Sequence, residues 1–304
     1  MASLSDLKRR IRTVKNTGKI TKAMSLISAS QTNKIKNTIS DFEHYQVLIK
    51  QILAQIVSGN QERFDEPPSV SEDIIIESCK KYLYQDIHYI YQSTNKRQLL
   101  IVMTADKGLC GAFNSSIAKH VIATANAETD IMCIGKKGYE LLSKKPEHQY
   151  KILENHYIEV NLKKVHSDIV MGMVTTKVLE LIASNIYSKV KIIYTKFITM
   201  LKQQVDEKQI FPLLINNEEE VEKIAFDSKP ISMLHTIIPY YINAEIYDKL
   251  LQSFRSETAK RMVAMDNASS NSNEMFNDLT LEYNRKRQTK VTSELIEVIS
   301  GMQE

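Results

Sequence analysis

Residues 240–300 read YYINAEIYDKLLQSFRSETAKRMVAMDNASSNSNEMFNDLTLEYNRKRQTKVTSELIEVIS, a run of 61 positions without a glycine or a proline. The run from Lys19 to Ser58 also lacks both residues. Apart from Gly18 and Gly301, every glycine and proline of the 304-residue chain lies between positions 59 and 239. Because glycine and proline interrupt helices, this distribution predicts two long terminal helices around a turn-rich centre.

Both terminal runs carry an apolar stripe with the spacing of a helix. In the N-terminal run, which Ser3 or Ser5 can cap, the stripe is Leu4, Leu7, Ile11, Val14, Thr21, Met24, Ile27, Val47, Leu48, Ile52, Leu53 and Ile56. In the C-terminal run it is Leu234, Ile237, Tyr241, Leu250, Leu251, Phe254, Met262, Met265, Leu279, Tyr283, Val291, Leu295 and Val298. A helix is stabilised mainly by burying such a stripe, so we expect the two helices to pair as an antiparallel, left-handed coiled coil. Small and polar residues interrupt the seam at 28–30 and 268–270.

The centre alternates between strand and helix patterns. In chain order these are a strand at 98–104, a helix at 114–127, a strand at 130–135, a short helix, a helix at 166–187 and a strand at 190–197. Such alternation predicts a mostly parallel sheet covered by helices. The expected fold is therefore α/β, with a Rossmann-like domain at 70–210. The terminal helices, at 1–58 and 231–304, form one coiled coil.

Glycine pairs follow two of the strands, where a nucleotide-binding fold keeps its phosphate loop. Neither Gly108-Leu-Cys-Gly111 nor Gly135-Lys-Lys-Gly138 has the spacing of a dinucleotide motif or of a P-loop, so tight turns are the favoured interpretation. The three cysteines form no CxxC pair and the seven histidines no HExxH motif. We expect no catalytic residue, no cofactor and no metal; a dinucleotide-dependent enzyme is the alternative built on this domain.

Basic residues crowd the start of the chain. Across the first 36 positions Asp6 is the one acidic residue beside Lys8, Arg9, Arg10, Arg12, Lys15, Lys19, Lys22, Lys34 and Lys36. A second group is Arg285, Lys286, Arg287 and Lys290. The pattern is typical of a solvated helix face or of a surface that binds an acidic protein. Nucleic acid is a poorer fit because aromatic residues do not alternate with the basic ones.

Three ordered motifs resemble the ATP synthase gamma subunits. The opening is similar through Leu7-Lys-Arg-Arg-Ile, Val14-Lys-Asn-Thr and Ile20-Thr-Lys-Ala-Met24. The centre is similar through Asp106-Lys-Gly-Leu-Cys-Gly-Ala-Phe-Asn114. The C-terminal run is similar through Ser256-Glu, Arg261-Met-Val-Ala-Met265, Asn267-Ala, Leu279-Thr-Leu, Tyr283-Asn, Arg287-Gln288 and Thr292-Ser-Glu-Leu. The resemblance therefore spans nearly the whole chain.

The resemblance implies a non-catalytic rotor shaft, present once per complex, that couples proton-driven rotation of a membrane ring to ATP synthesis. Its implied partners are the alpha and beta subunits, the epsilon subunit and the c-ring, with nucleotide bound by alpha and beta. The residues implied to contact the alpha/beta hexamer are Lys22, Met24, Arg261, Arg287, Gln288, Leu295, Val298, Ile299 and Met302. A non-catalytic coiled-coil adaptor is the alternative function.

The sequence has no apolar run long enough to span a bilayer, and its helical pattern begins at Leu4 without a preceding signal core. Any membrane association is therefore expected to come through partners, and the resemblance implies a peripheral protein on the cytoplasmic side of the cell inner membrane.

Overall fold

The computed structural model describes residues 3–59, 83–84, 97–144, 150–153, 158, 168–184, 186–214 and 230–301. Its elements, in chain order, are α1 (Leu4–Gly59), β1 (Leu83–Tyr84), β2 (Arg97–Met103), α2 (Phe113–Thr124), β3 (Thr129–Ile134), α3 (Lys136–Ser143), β4 (Tyr150–Ile152), α4 (Asp168–Ala183), β5 (Tyr187–Phe197), β6 (Gln203–Phe211), β7 (Leu213–Leu214) and α5 (Pro230–Gly301). The predicted fold of two long terminal helices around a central α/β domain is confirmed.

The terminal helices form an antiparallel pair. The Cβ position of Gly18 lies 3.2 Å from the Cβ of Ser272. Further along, the hydroxyl groups of Thr32 and Thr258 are 2.9 Å apart, and Lys50 forms an ion pair with Glu245 at 2.9 Å. The residue number rises on one helix as it falls on the other, so one register holds along the pair.

A single heptad series on α1 faces α5. Its members are buried or half-buried throughout: Leu4, Leu7, Ile11, Val14, Gly18, Thr21, Ser25, Ser28, Thr32, Ile35, Ile39, Phe42, Gln46, Ile49, Leu53 and Ile56. The prediction was wrong in the middle of the helix, where Ile27, Val47 and Leu48 are exposed. A pair of supercoiled helices keeps a strict repeat of 3.5 residues at its seam, so small hydroxyl residues occupy seam positions although apolar ones stand beside them.

A side-chain cap begins α1, and apolar burial supports a proline inside α5. Ser3 caps α1: its hydroxyl accepts the backbone N–H of Asp6 at 3.1 Å, and the Asp6 carboxylate accepts the N–H of Ser3 at 3.3 Å. The other long helix, α5, continues through Pro239. An internal proline costs roughly 3 kcal/mol, and burial of Leu234, Ile238 and Ile242 around it offsets that cost.

The central sheet has the strand order β4-β3-β2-β5-β6, parallel except for β6. On β2, Leu99 and Ile101 belong to the core shared with α4, α5 and the end of α1, whereas Leu100 and Val102 pack with α2 and α3. The sheet is thus covered on both faces, and α5 lies against one of them. The antiparallel strand β6 was not predicted, and Tyr187, predicted to end a helix, begins β5.

Candidate functional site

The first candidate site is the crevice at the carboxyl ends of β2 and β5. The chain leaves β2 toward one face of the sheet and enters β5 from the other, so these neighbouring strands form the switch point of a doubly wound sheet. Ligands of such sheets bind at this position. The loop from Thr104 to Ala112, which we call the switch loop, follows β2 and leads into α2.

Helix α5 lies in this crevice and binds it with side chains. The hydroxyl of Ser253 donates to the carbonyl of Met103 at 3.5 Å, and that of Ser256 donates to the carbonyl of Thr195 at 2.9 Å. One turn further, the guanidinium of Arg261 donates to the carbonyl of Gly108 at 3.4 Å. Carbonyl oxygens at the carboxyl ends of the strands, where a nucleotide-binding fold holds its ligand, therefore accept hydrogen bonds from a helix of the same chain.

The glycines after β2 and β3 serve the turns, as predicted. Gly111 and Gly135 have backbone φ angles of 57° and 100°, which residues other than glycine rarely adopt. A Cβ on Gly138 would lie 2.4 Å from the hydroxyl of Thr104, which accepts the N–H of Gly138 at 2.9 Å. The carboxamide of Asn114 closes the switch loop by accepting the N–H of Ala105 at 2.9 Å.

A buried ion pair stands beneath the switch loop. Arg261 donates to the carboxylate of Glu257 at 2.5 Å, and the two side chains are 12% and 10% exposed. Burial raises the pKa of Glu257, and the adjacent guanidinium of Arg261 opposes that rise. Arg261, predicted to contact a partner, donates hydrogen bonds to Glu257 and Gly108 of its own chain.

The second candidate site is the exposed C-terminal end of α5. Leu4 begins α1 opposite the region of Lys286, and every side chain from Arg287 to Ile299 is exposed. This segment, which we call the overhang, extends about 20 Å beyond the end of α1. Its apolar side chains, each 49–61% exposed, are Val291, Leu295, Ile296, Val298 and Ile299.

The overhang contains most of the predicted contact residues. Arg287, Gln288, Leu295, Val298 and Ile299 lie on it, and all five are exposed. Met302 is outside the described residues. At 3.6 residues per turn these apolar side chains cover about half of the helix circumference, so the overhang offers one broad exposed apolar face to a partner.

The third candidate site is the flank of α1. Lys22 is exposed and pairs with Asp266 of α5 at 3.3 Å, and Met24 is half-buried beside the seam. Ile20 and Ile27, which stand one turn on either side of Met24, are 61% and 57% exposed. The three apolar side chains share one helix face because their spacing is four and three residues.

The basic residues of α1 surround this flank. All nine in the first 36 positions are exposed. Arg9 pairs with Asp6 at 3.2 Å, and the ammonium group of Lys15 lies 5.6 Å from the ring centre of Phe276. Arg10, Arg12 and Lys19 have no ion-pair partner in the described part of the chain. Positive charge therefore faces outward along the helix pair.

Sequence reasoning missed two features of these surfaces. Ile20 and Leu26 are exposed apolar residues, and their exposure was not predicted. The strict heptad that begins at Leu4 could have indicated it, because it places both residues outside the seam. Leu109, at the tip of the switch loop, is 61% exposed and has a φ angle of 63°. A left-handed leucine is uncommon, and the sequence carries no signal for it beyond its two neighbouring glycines.

The described part of the chain has neither a metal site nor a membrane-spanning helix. In the ranges that the structure describes, no cluster of histidine, cysteine, aspartate or glutamate has the arrangement of a metal site. Over the same ranges no helix is both long and apolar enough to cross a membrane.

The whole chain matches known proteins. A family model described as ATP synthase matches residues 3–303. ATP synthase gamma chains of Rickettsia bellii and Geotalea daltonii are 34% and 33% identical to it over 99% of its length, and the alignments cover 99% and 98% of those proteins. The rotor of the Euglena gracilis mitochondrial ATP synthase has the same fold, with a TM-score of 0.63 over 95% of this chain and 98% of that one, at 15% identity.

The similarity in sequence covers 99% of this chain and the similarity in fold covers 95% of it, so both extend over the terminal helices and the central domain. The observed helix pair, its overhang and the occupied crevice belong to one architecture rather than to separate modules. This chain belongs to the ATP synthase gamma chain family.

Proposed function

We propose that this chain is the central rotor shaft of an ATP synthase, which couples proton-driven rotation of a membrane ring to ATP synthesis at an alpha/beta hexamer. The observation that carries the proposal is the overhang, a helix end with one broad face of exposed apolar side chains. Exposure of such an apolar surface to water is unfavourable in free energy, and burial in an apolar bearing inside a ring of subunits removes that exposure.

The helix pair suits the transmission of torque. Its seam is continuous from Leu4 to Ile56, with one register and one heptad phase. A rotating shaft also needs contacts that exchange without one deep energy minimum. Exposed lysine and arginine side chains meet that need, because surface ion pairs are worth only about 0–1 kcal/mol each. The proposed contacts of Lys22 and Arg287 with the hexamer are of this kind, and Met24 and Gln288 are proposed to lie against it beside them.

Catalysis belongs to the partners in this proposal. The crevice at the switch point holds Ser253, Ser256 and Arg261 of α5, so the chain offers that position to its own helix rather than to nucleotide. The alpha and beta subunits bind nucleotide, and the central domain seats on the epsilon subunit and the c-ring. Attachment through these partners places the chain peripherally at the cytoplasmic side of the inner membrane.

Reconstitution tests the proposal directly. The chain is combined with alpha and beta subunits from its own host, a probe is attached to its central domain, and rotation is recorded under ATP. We expect stepwise rotation, no ATP hydrolysis by the chain alone, and no rotation when the chain is left out. A chain that fails to join the hexamer, or that joins without turning, would show the proposal to be wrong and would favour a coiled-coil adaptor.

A further inference from the structure

The helix pair and the central domain are held together by two kinds of contact. Apolar packing is one: Leu250, Leu251 and Phe254 of α5 share a core with the sheet. Such packing resists separation, and its interlocking side chains also resist rotation. Directional polar contacts are the other, and Ser253, Ser256 and Arg261 make them at the carboxyl ends of the strands. These polar contacts therefore add a directional restraint to the orientation that the packed core sets.

Arg261 stands where α5 leaves the domain. Four residues later, Met265 is buried, and Asp266 already pairs with Lys22 of the opposite helix at 3.3 Å. The guanidinium group has two tasks at this exit: it bonds the switch loop at Gly108 and the carboxylate of Glu257. Among the polar contacts just described, it is the one farthest along the helix toward the overhang.

A buried ion pair is an inefficient way to stabilise a fold, because its two charges must be desolvated. Removing two charges from water offsets most of their attraction, and apolar residues in their place are often as stable or more so. An ion pair and its shared carbonyl do, however, fix one geometry, because charge-assisted hydrogen bonds are directional. The energetic cost of Glu257 therefore suits a role in orientation.

We infer that Glu257 and Arg261 are positioning residues that fix the angle of the central domain about the helix pair. The inference rests on the proposed function, because an angle matters only where torque passes from the domain to the helix. Glu257 orients the guanidinium, and Arg261 holds the switch loop. Loss of the pair loosens the domain without removing its apolar core.

The test uses the full chain in an assembled complex with hexamer and membrane ring. The double variant Glu257→Gln/Arg261→Gln removes both charges together, so that neither is left buried alone. Lys260→Gln, one residue from Arg261 and half-buried on the same helix, is the control for loss of a neighbouring positive charge. Three quantities are measured: melting temperature of the chain, ions pumped per ATP hydrolysed, and angular fluctuation between probes on the domain and on the overhang.

We expect the double variant to keep its ATP hydrolysis and to lose roughly twofold or more in ions pumped per ATP, with a wider angular fluctuation. Arg261→Lys keeps the charge but cannot bond Glu257 and Gly108 with one fork, so an intermediate fluctuation is expected. Lys260→Gln should behave as the wild type.

Wild-type pumping and fluctuation in the double variant would overturn the inference. If the double variant fails to assemble, Arg261→Lys decides, and a fluctuation equal to the wild type then overturns it. The proposed function fails separately: in that case the wild-type chain itself produces no rotation.

Discussion

The hydroxyl group of Thr32 on α1 lies 2.9 Å from that of Thr258 on α5, buried in the middle of the helix pair. The hydroxyl of Thr258 donates to the carbonyl of Phe254 on its own helix, so it accepts across the seam, and Thr32 shares its one proton between Thr258 and the carbonyl of Ser28. The seam here is therefore polar, small and fully paired at these two groups.

A double-mutant cycle measures the energy of this contact. Thr32→Val and Thr258→Val should each lower the free energy of unfolding by about 1 kcal/mol, because each leaves a hydroxyl without its partner across the seam. The double variant should lose less than the sum, since two apolar groups of the same shape then meet. Chemical denaturation gives all four values, and strictly additive losses would contradict a direct bond.

Gly135 has a conformational role that a substitution can isolate. Its φ of 100° disfavours a side chain, and a Cβ there would lie 2.1 Å from the carbonyl oxygen of Thr104. Gly135→Ala should cost about 2–4 kcal/mol through strain and displaced backbone. Gly108→Ala is the matched control, because nothing lies within 4 Å of its Cβ position. Thermal unfolding should separate the two, and equal melting temperatures would refute the assigned geometry.

Leu7 and Ile27 occupy opposite surroundings on one helix. Leu7 is 1% exposed in the seam, whereas Ile27 is 57% exposed. Leu7→Asp should destabilise the chain by several kcal/mol because it buries an unpaired carboxylate. Ile27→Asp should leave the melting temperature of the free chain within a degree or two and weaken assembly with the hexamer. A large stability loss from Ile27→Asp would place it at the seam after all.

The overhang predicts a separation of stability from assembly. Val298→Asp together with Ile299→Asp should not change the melting temperature of the free chain, since both side chains are exposed. The same variant should impair assembly or rotation, because two carboxylates would enter an apolar bearing. Thr292→Asp/Ser293→Asp adds the same charge to exposed polar positions of the same helix and should assemble better. Equal assembly by both variants would argue against an apolar bearing.

The buried carboxyl group of Glu257 predicts a dependence on pH. Its pKa in the folded chain is raised above the ordinary value of 4.5. The folded state therefore binds more protons than the unfolded state just above pH 4.5, so the contribution of Glu257 to stability falls as pH rises through that window. Wild type minus Glu257→Gln should show this decline in denaturation curves taken from pH 4 upward. A difference that rises with pH would mean that Arg261 lowers the pKa below its ordinary value.

Much of the fold was accessible from the sequence because its strongest signals are local. Glycine and proline placement gave the two long helices, and apolar runs gave β2, β3 and β5. The seam was misread where hydrophobicity and spacing disagree: Ile27 is more apolar than Ser28, yet Ser28 continues the heptad that begins at Leu4. Spacing is the better guide, since geometry decides which side faces the partner helix.

The remaining features depend on contacts between distant parts of the chain. Strand β6 reads QQVDEKQIF and has little apolar alternation, because it is an edge strand whose side chains are mostly half-buried. The bond from Arg261 to Gly108 joins residues 153 positions apart. No local pattern indicates this bond, and the contact of Arg261 with a partner stays a prediction beside it.

The overhang also bears on how this chain acquires its final shape. A lone helix of fewer than about 12–15 residues is marginal in water, because its backbone hydrogen bonds barely repay the entropy of ordering. Within the ranges that the structure describes, no second helix covers the segment from Arg287 to Ile299. Its amide protons should therefore exchange with solvent far faster than those near Thr258. A surrounding ring would slow that exchange, which makes the last stage of folding a step that several chains complete together.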